Sequence, residues 1–103
     1  MTVQDFMFQS GVPMNLLGYE YIKEALEIYL KNPAIGIMVM YEEIAKKHDV
    51  KAYCVERNIR NAIKRGYPML NEDIKKKIFG SKERVKVSEY IRGISYALRN
   101  NLI

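Results

Sequence analysis

Apolar side chains recur three and four positions apart along most of this chain, and this spacing restricts the fold more than any other feature. Between residues 16 and 31 they form one face of an amphipathic helix, comprising Ile22, Ala25, Leu26, Tyr29 and Leu30. No stretch alternates strictly between apolar and polar residues, and no Asn-Gly hairpin dipeptide lies between apolar runs. We therefore expect an all-α fold, a compact bundle of about six helices.

The chain of 103 residues has the size of one domain, and its hydrophobic content of 49% is enough for a single core. We divide it into an N-terminal extension, residues 1–10, and one helical domain, residues 11–103. The longest apolar run, Ala34–Tyr41, is far shorter than the ~20 residues of a membrane span. The N-terminus lacks the basic and apolar regions of a secretory signal. We expect a cytoplasmic protein with no membrane partner.

The helix boundaries are predicted from stripes and capping residues. Asn32-Pro33 should end one helix and start the next, Asn71 should cap a helix, and Gly66 and Gly80 should end helices. The predicted helices run from about Leu16 to Lys31, Ala34 to Met38 (short and mostly buried), Tyr41 to His48, Ala52 to Arg65, Glu72 to Phe79 and Ser88 to Asn100.

The corner "HDVKA" between the third and fourth predicted helices fits the turn of a helix-turn-helix. Asp49 follows the small residue Ala45 by four positions, where such a turn needs a residue that tolerates positive φ. We expect Val50 to turn inward, and Val55 and Ile59 to pack the second helix on the first. Helical hairpins of other kinds satisfy part of this pattern, so the surface of the second helix has to decide its role.

The charge of the chain is concentrated around this corner. The net charge is +5, and the segment Lys46–Arg65 carries seven basic and two acidic residues while the remainder carries ten of each. A basic excess confined to twenty residues is typical of a surface that binds an anionic polymer.

The outward face of helix 52–65 carries side chains suited to the major groove of DNA. Arginine pairs with guanine, and glutamate accepts a hydrogen bond from cytosine, so Glu56, Arg57 and Arg60 are the candidate base-contacting residues. The candidates for phosphate and other DNA contacts are Lys46, Lys47, Lys51, Tyr53, Asn61, Lys64 and Arg65. The alternative is an ordinary solvated helix with a Glu56–Arg60 ion pair, which leaves the local charge excess unexplained.

Catalysis, cofactor binding and metal binding have little support. The single cysteine, Cys54, and the single histidine, His48, make at most half a zinc site. We expect His48 to lie near a helix C-terminus and Cys54 to fill space in the packing. No catalytic triad, carboxylate pair or glycine-rich phosphate loop is present. We expect a protein that is not an enzyme and has no cofactor.

Several segments resemble one known family, the C-terminal DNA-binding domain of the sporulation stage-zero response regulator. The similar segments follow in order and with similar spacing. They are "GVP" (Gly11–Pro13), "GYEYIKEAL" (Gly18–Leu26), "IAKKHDV" (Ile44–Val50), "VERNIRNAI" (Val55–Ile63) and "SEYI…ISYALR" (Ser88–Arg99).

The resemblance implies a six-helix effector domain whose helix-turn-helix binds a short, asymmetric DNA box with a TCGAA-like core. It places Glu56, Arg57 and Arg60 where the family contacts base edges, and implies tandem head-to-tail copies that meet through the last helix. This chain departs from the family pattern at Lys51–Cys54, where the family has a Thr-x-Ser type cap, and in a shorter loop before the last helix.

The family's phosphoacceptor receiver domain does not fit into the ten residues before Gly11. An excised effector domain and a stand-alone relative both explain this, and the sequence does not separate them. Target genes and the direction of regulation are likewise open. The alternative function is a protein-interaction module that pairs with a full-length regulator or with RNA polymerase. A DNA-binding regulator should lose affinity steeply with salt and prefer its box, whereas such a module should show neither.

Overall fold

The computed structural model describes all 103 residues and contains helices but no strands. Six α-helices and one short 3₁₀ helix account for the regular structure, which confirms the all-α prediction. Their bounds are α1 (Val3–Gln9), α2 (Leu17–Lys31), α3 (Ile37–His48), α4 (Ala52–Gly66), the 3₁₀ helix (Tyr67–Met69), α5 (Glu72–Phe79) and α6 (Val87–Arg99).

Helix α1 lies in residues 1–10, the segment that we set apart as an N-terminal extension. Its start is capped reciprocally: the Thr2 hydroxyl accepts a hydrogen bond from the backbone N–H of Asp5, and the Asp5 carboxylate accepts one from the backbone N–H of Thr2, both 3.0 Å long. Phe6 and Met7 are fully buried, and the Phe6 ring lies edge-on to Tyr90 of α6. This segment therefore contributes to the same core as the other helices.

The predicted short helix from Ala34 to Met38 does not form. Asn32 instead ends α2, its carbonyl accepts a hydrogen bond from the N–H of Ile35, and Gly36 has extended backbone just before α3 begins at Ile37. The expected burial was also wrong for Met38, which is 58% exposed, as is the following Val39 at 48%. The reason is that both lie on the face of α3 directed away from the core.

Helix α2 is central to the bundle and packs against α1, α3, α4 and α6. A side chain at Gly18 would meet α4, because its Cβ would lie 2.3 Å from the carbonyl oxygen of Asn58 and 2.6 Å from the Cβ of Ala62. At Gly18 the backbone of α2 thus lies directly against that of α4. The alignment of α4 with the bundle depends on this contact.

The two glycines predicted to end helices differ. Gly80 ends α5 as expected, with a positive φ of 64°, and Asn71 caps α5 by accepting from the N–H groups of Asp73 and Ile74. The α-helix α4 does end at Gly66, but Gly66 is not a left-handed C′ residue: its φ is −84°, and the chain continues directly into the 3₁₀ helix. Glycine is needed there because a Cβ would lie 2.6 Å from the side chain of Val12.

No helix in the fold combines the length and the apolar composition that crossing a membrane requires.

Substituting Gly18 with alanine should destabilise the protein even though alanine favours helix by about 1 kcal/mol. The new methyl group would press on the backbone of α4, which cannot shift without moving the whole helix, so we expect a net loss of about 1–3 kcal/mol. Urea denaturation measures this free energy of unfolding.

The matched control is Gly93→Ala in α6, where the new Cβ would meet only side-chain atoms of Ile78 and Phe79, the nearest at 3.1 Å. These side chains can adjust, so the loss should be clearly smaller. Equal losses for the two variants would contradict the close approach of α2 and α4.

Candidate nucleic-acid interface

The turn between α3 and α4 begins with a left-handed residue, as the sequence predicted. Asp49 has φ 53° and ψ 49°. The N–H of Val50 donates to the carbonyl of Ala45 at 3.0 Å, and the N–H of Asp49 donates to that of Lys46 at 3.4 Å. This pair of bonds is a Schellman motif, which satisfies carbonyl groups that the end of α3 would otherwise leave unpaired.

Val50 does not turn inward as expected, since it is 38% exposed. Its backbone is held by the bond to Ala45, so the turn keeps its shape without burial of the valine side chain. The next residue, Lys51, has extended backbone and precedes the first turn of α4 without any side-chain cap.

Helix α4 is held by an apolar face that packs on α2 and α3. Val55 and Ile59 are fully buried, as predicted, and Ala62 and Ile63 are buried beside them. Helix α3, the Asp49 turn and α4 therefore have the arrangement of a helix-turn-helix, with the second helix docked along one side only.

The opposite side of α4 is open to solvent. Tyr53 is 66% exposed, Arg57, Arg60 and Lys64 are exposed, and Glu56 is half-buried. The Arg57 guanidinium lies 5.9 Å from the centre of the Tyr53 ring, a cation–π contact. Side chains predicted from spacing alone to share one surface thus lie together.

The remaining candidates flank this surface. Asn61 and Arg65 are exposed and line a shallow groove with Leu17 at the start of α2. Lys46 and Lys51 are exposed around the turn and form no ion pair within the chain.

The Glu56–Arg60 ion pair of the alternative interpretation is present. Nε of Arg60 lies 3.5 Å from Oε2 of Glu56, and both side chains are at least one-third exposed. A solvent-exposed pair of this kind is worth only a few tenths of a kcal/mol. It therefore restrains the two side chains weakly, and either can exchange it for another partner.

Lys47 has a partner that the sequence analysis missed. Its ammonium lies 2.8 Å from one oxygen of Glu24, and Nε2 of His48 lies 2.6 Å from the other oxygen. One carboxylate of α2 thus binds the last two residues of α3, just before the left-handed turn. The ring of His48 also packs edge-on against Tyr21.

Glu24 is placed so that its charged form is favoured. Partial burial opposes ionisation, but the hydrogen bonds from Lys47 and His48 and the positive charge of these partners outweigh it. The pKa of Glu24 is consequently lower than that of an ordinary glutamate. A DNA phosphate that approached Lys47 would have to replace this carboxylate.

No group of three or more His, Cys, Asp or Glu side chains lies close enough to hold a metal ion. His48 is near the C-terminus of α3, as expected, and Cys54 is partly buried in the first turn of α4.

The fold is an all-α domain, and α3, the Asp49 turn and the exposed cationic helix α4 are consistent with a helix-turn-helix. Residues 3–98 of the chain match the family model described as "Sporulation initiation factor Spo0A C terminal", so the chain belongs to this family. The family comprises DNA-binding domains of transcription regulators of sporulation. The resemblance noted in the sequence is thereby confirmed. The matched range begins at Val3, the first residue of α1.

The left-handed conformation of Asp49 predicts a difference between two substitutions. Asp49→Val places a β-branched residue at positive φ and should cost about 1–2 kcal/mol of stability, whereas Asp49→Gly removes the steric conflict and should cost little. Urea denaturation of both variants tests this. The prediction fails if glycine and valine destabilise the protein equally.

The lowered pKa of Glu24 predicts a pH-dependent contribution to stability. This contribution is fully present above 4.5, the ordinary pKa of a glutamate, and is lost as the pH falls through the lower folded-state pKa. Glu24→Gln should therefore lower the melting temperature at neutral pH, and the gap from the wild type should narrow in acid.

The control for this experiment is Glu27→Gln, because Glu27 is exposed on the same helix and forms no ion pair. It should show almost no gap at any pH. A gap for Glu24→Gln that stays constant into acid would contradict the proposed role of the ionised carboxylate.

Proposed function

We propose that this chain is a sequence-specific, double-stranded-DNA-binding transcription regulator with no catalytic activity, and that α4 enters the major groove. The observation that carries this proposal is the exposed face of α4, which bears Arg57, Arg60 and Lys64. The opposite, apolar face of α4 packs on the bundle, and a left-handed turn joins the helix to α3. The local excess of basic residues attracts the phosphates of DNA, and this attraction is the same for every DNA sequence.

Specificity is assigned to the three residues at the centre of this face. Arg57 and Arg60 donate hydrogen bonds to O6 and N7 of guanine, and Glu56 accepts one from the amino group of cytosine or orients the arginines. The ion pair between Glu56 and Arg60 is weak enough to be exchanged for these contacts. A glutamate on a phosphate-binding surface reduces general affinity, which favours a role in selecting bases.

Phosphate and other backbone contacts are assigned to the residues around this centre, namely Lys46, Lys47, Lys51, Tyr53, Asn61, Lys64 and Arg65. Lys46, Lys51 and Lys64 are exposed and unpaired, so they bind phosphate without losing a partner in the chain. Lys47 is the weakest of these candidates, because it must first leave Glu24.

Further partners are proposed from the family resemblance. Tandem copies of the domain occupy adjacent boxes in a head-to-tail arrangement, and RNA polymerase is the target of the bound regulator.

Two substitutions separate base recognition from phosphate binding. Arg60→Ala should cost about 1–3 kcal/mol on a duplex with the TCGAA-like core and relax the preference at one base pair. Lys46→Ala should weaken binding to all duplexes alike and reduce the slope of log K against log salt by about 1. Fluorescence-anisotropy titrations on a single box and its single-base variants measure both effects.

Lys31→Ala is the control, since Lys31 lies at the far end of α2 and its removal lowers the net charge in the same way. It should leave the ranking of the duplexes unchanged. If Arg60→Ala weakens every duplex by the same factor, Arg60 does not contact a base.

A further inference from the structure

A groove runs along one flank of α4, opposite the flank that faces α2. It consists of two neighbouring cavities, of about 330 Å³ and 450 Å³, which share Arg60, Val85 and Val87 in their linings. One wall is α4 with the start of the 3₁₀ helix, and the other is the loop that leads into α6. These volumes fall in the lower part of the range found for small-molecule sites.

The first cavity has an apolar floor that is part of the core. Ile63 and Tyr67 at its base are only 3% and 4% exposed, so the apolar surface open to a ligand comes from the partly exposed Val85 and Val87 on the loop side. A flat, apolar body that enters this cavity would therefore replace water on a surface already shaped by the fold.

The loop wall is anchored to the rest of the domain. The hydroxyl of Tyr67 donates a hydrogen bond of 2.8 Å to the carbonyl of Lys82, and the ammonium of Lys82 pairs with Glu89 in α6. These contacts fix the start of the loop, so the cavity between it and α4 is a built feature of the fold.

The charge of the first cavity is unbalanced. Arg60, Lys64 and Arg84 line it together with one acidic residue, Glu83. Lys64 and Arg84 form no ion pair within the chain, and Arg60 has only the weak pair with Glu56. A negatively charged group is the complement of this arrangement, and the apolar floor beside it is the complement of an aromatic or aliphatic body.

We propose that this groove binds a small organic anion, with its charged group at Arg60 and Arg84 and its apolar body against Val85 and Val87. A sugar–phosphate backbone would satisfy the cations but offers only the small C–H faces of its sugars to Val85 and Val87, so a small molecule that joins an anionic group to a larger apolar body is the better complement. The regulatory consequence rests on the proposed function: a ligand held by Arg60 removes that arginine from the bases, and DNA and ligand therefore compete.

The experiment uses naphthalene-1-sulfonate as the probe and the neutral 1-naphthalenemethanol as its matched control. Amide chemical shifts of the folded chain are followed by NMR as each compound is added. The sulfonate should give saturable shifts confined to the groove, with a dissociation constant near or below about 1 mM. The neutral compound should bind at least several-fold more weakly, because it lacks the charge that Arg60 and Arg84 recognise.

Arg84→Ala should weaken sulfonate binding about tenfold, as expected for the loss of a charge-assisted hydrogen bond. Lys31→Ala, which removes the positive charge of a side chain that does not line the groove, should leave the binding unchanged. Shifts spread over the whole surface, equal affinity for the two compounds, or equal losses in the two variants would each overturn the proposed site. Shifts of groove amides with DNA but none with the sulfonate would assign the groove to the DNA backbone and also overturn it.

Competition is measured in the same series by adding the sulfonate to the complex of the wild type with its box. Displacement of DNA should need a several-fold higher sulfonate concentration in Arg84→Ala than in the wild type. The proposed function is tested separately, by measuring the binding of the wild type to the box and to its variants before any probe is added. If the wild type then shows no preference for the box, the proposed function fails, whatever the sulfonate does. Sulfonate binding without displacement would overturn the competition and leave the binding site intact.

Discussion

The packing of one apolar face of α4 on α2 and α3 is the interaction on which the rest of the structure depends. Val55 and Ile59 lose all contact with water there, and burial of side chains of this size contributes about 1.5–3 kcal/mol each. Because the apolar face is held, the polar face of the same helix is presented to solvent in one orientation. Tyr53, Arg57 and Arg60 lie together because they share the exposed face of this single helix.

Two contacts set the angle at which this helix leaves α3. The left-handed residue Asp49 turns the chain, and Gly18 lets α2 lie against the backbone of α4. Glu24 adds an electrostatic connection from α2 to the end of α3 through Lys47 and His48. None of the three is a candidate DNA contact, so they position the exposed face of α4 without forming part of it.

The fold class, the turn and most helix bounds could be predicted from the sequence because each has a local physical cause. Spacing of three and four determines which residues of α4 are buried, and the need for positive φ singles out Asp49. Helix α1 was missed because seven residues do not form a stable helix alone. Burial of Phe6 and Met7 in the core stabilises it, and this becomes visible only when the helices are assembled.

The other features that were missed or predicted wrongly also depend on contacts between residues far apart in the sequence. Gly66 serves a contact with Val12, more than fifty residues earlier, rather than a local turn. The ion pairs of Glu24 join residues 23 and 24 positions apart, so no spacing rule could indicate them. The groove beside α4 likewise depends on a loop that follows α5 and returns to Arg60. The groove adjoins the face of α4 that we propose contacts DNA, and Arg60 belongs to both.

The central claim is that α4 selects a DNA sequence by contacting bases in the major groove. Selection of binding sites by the wild-type chain from a pool of random duplexes, followed by sequencing, tests it most directly. The account predicts that the pool converges on one short sequence containing guanines for the two arginines. Recovery of bound duplexes with no sequence enriched over the starting pool would contradict it, because the basic surface would then bind phosphate alone.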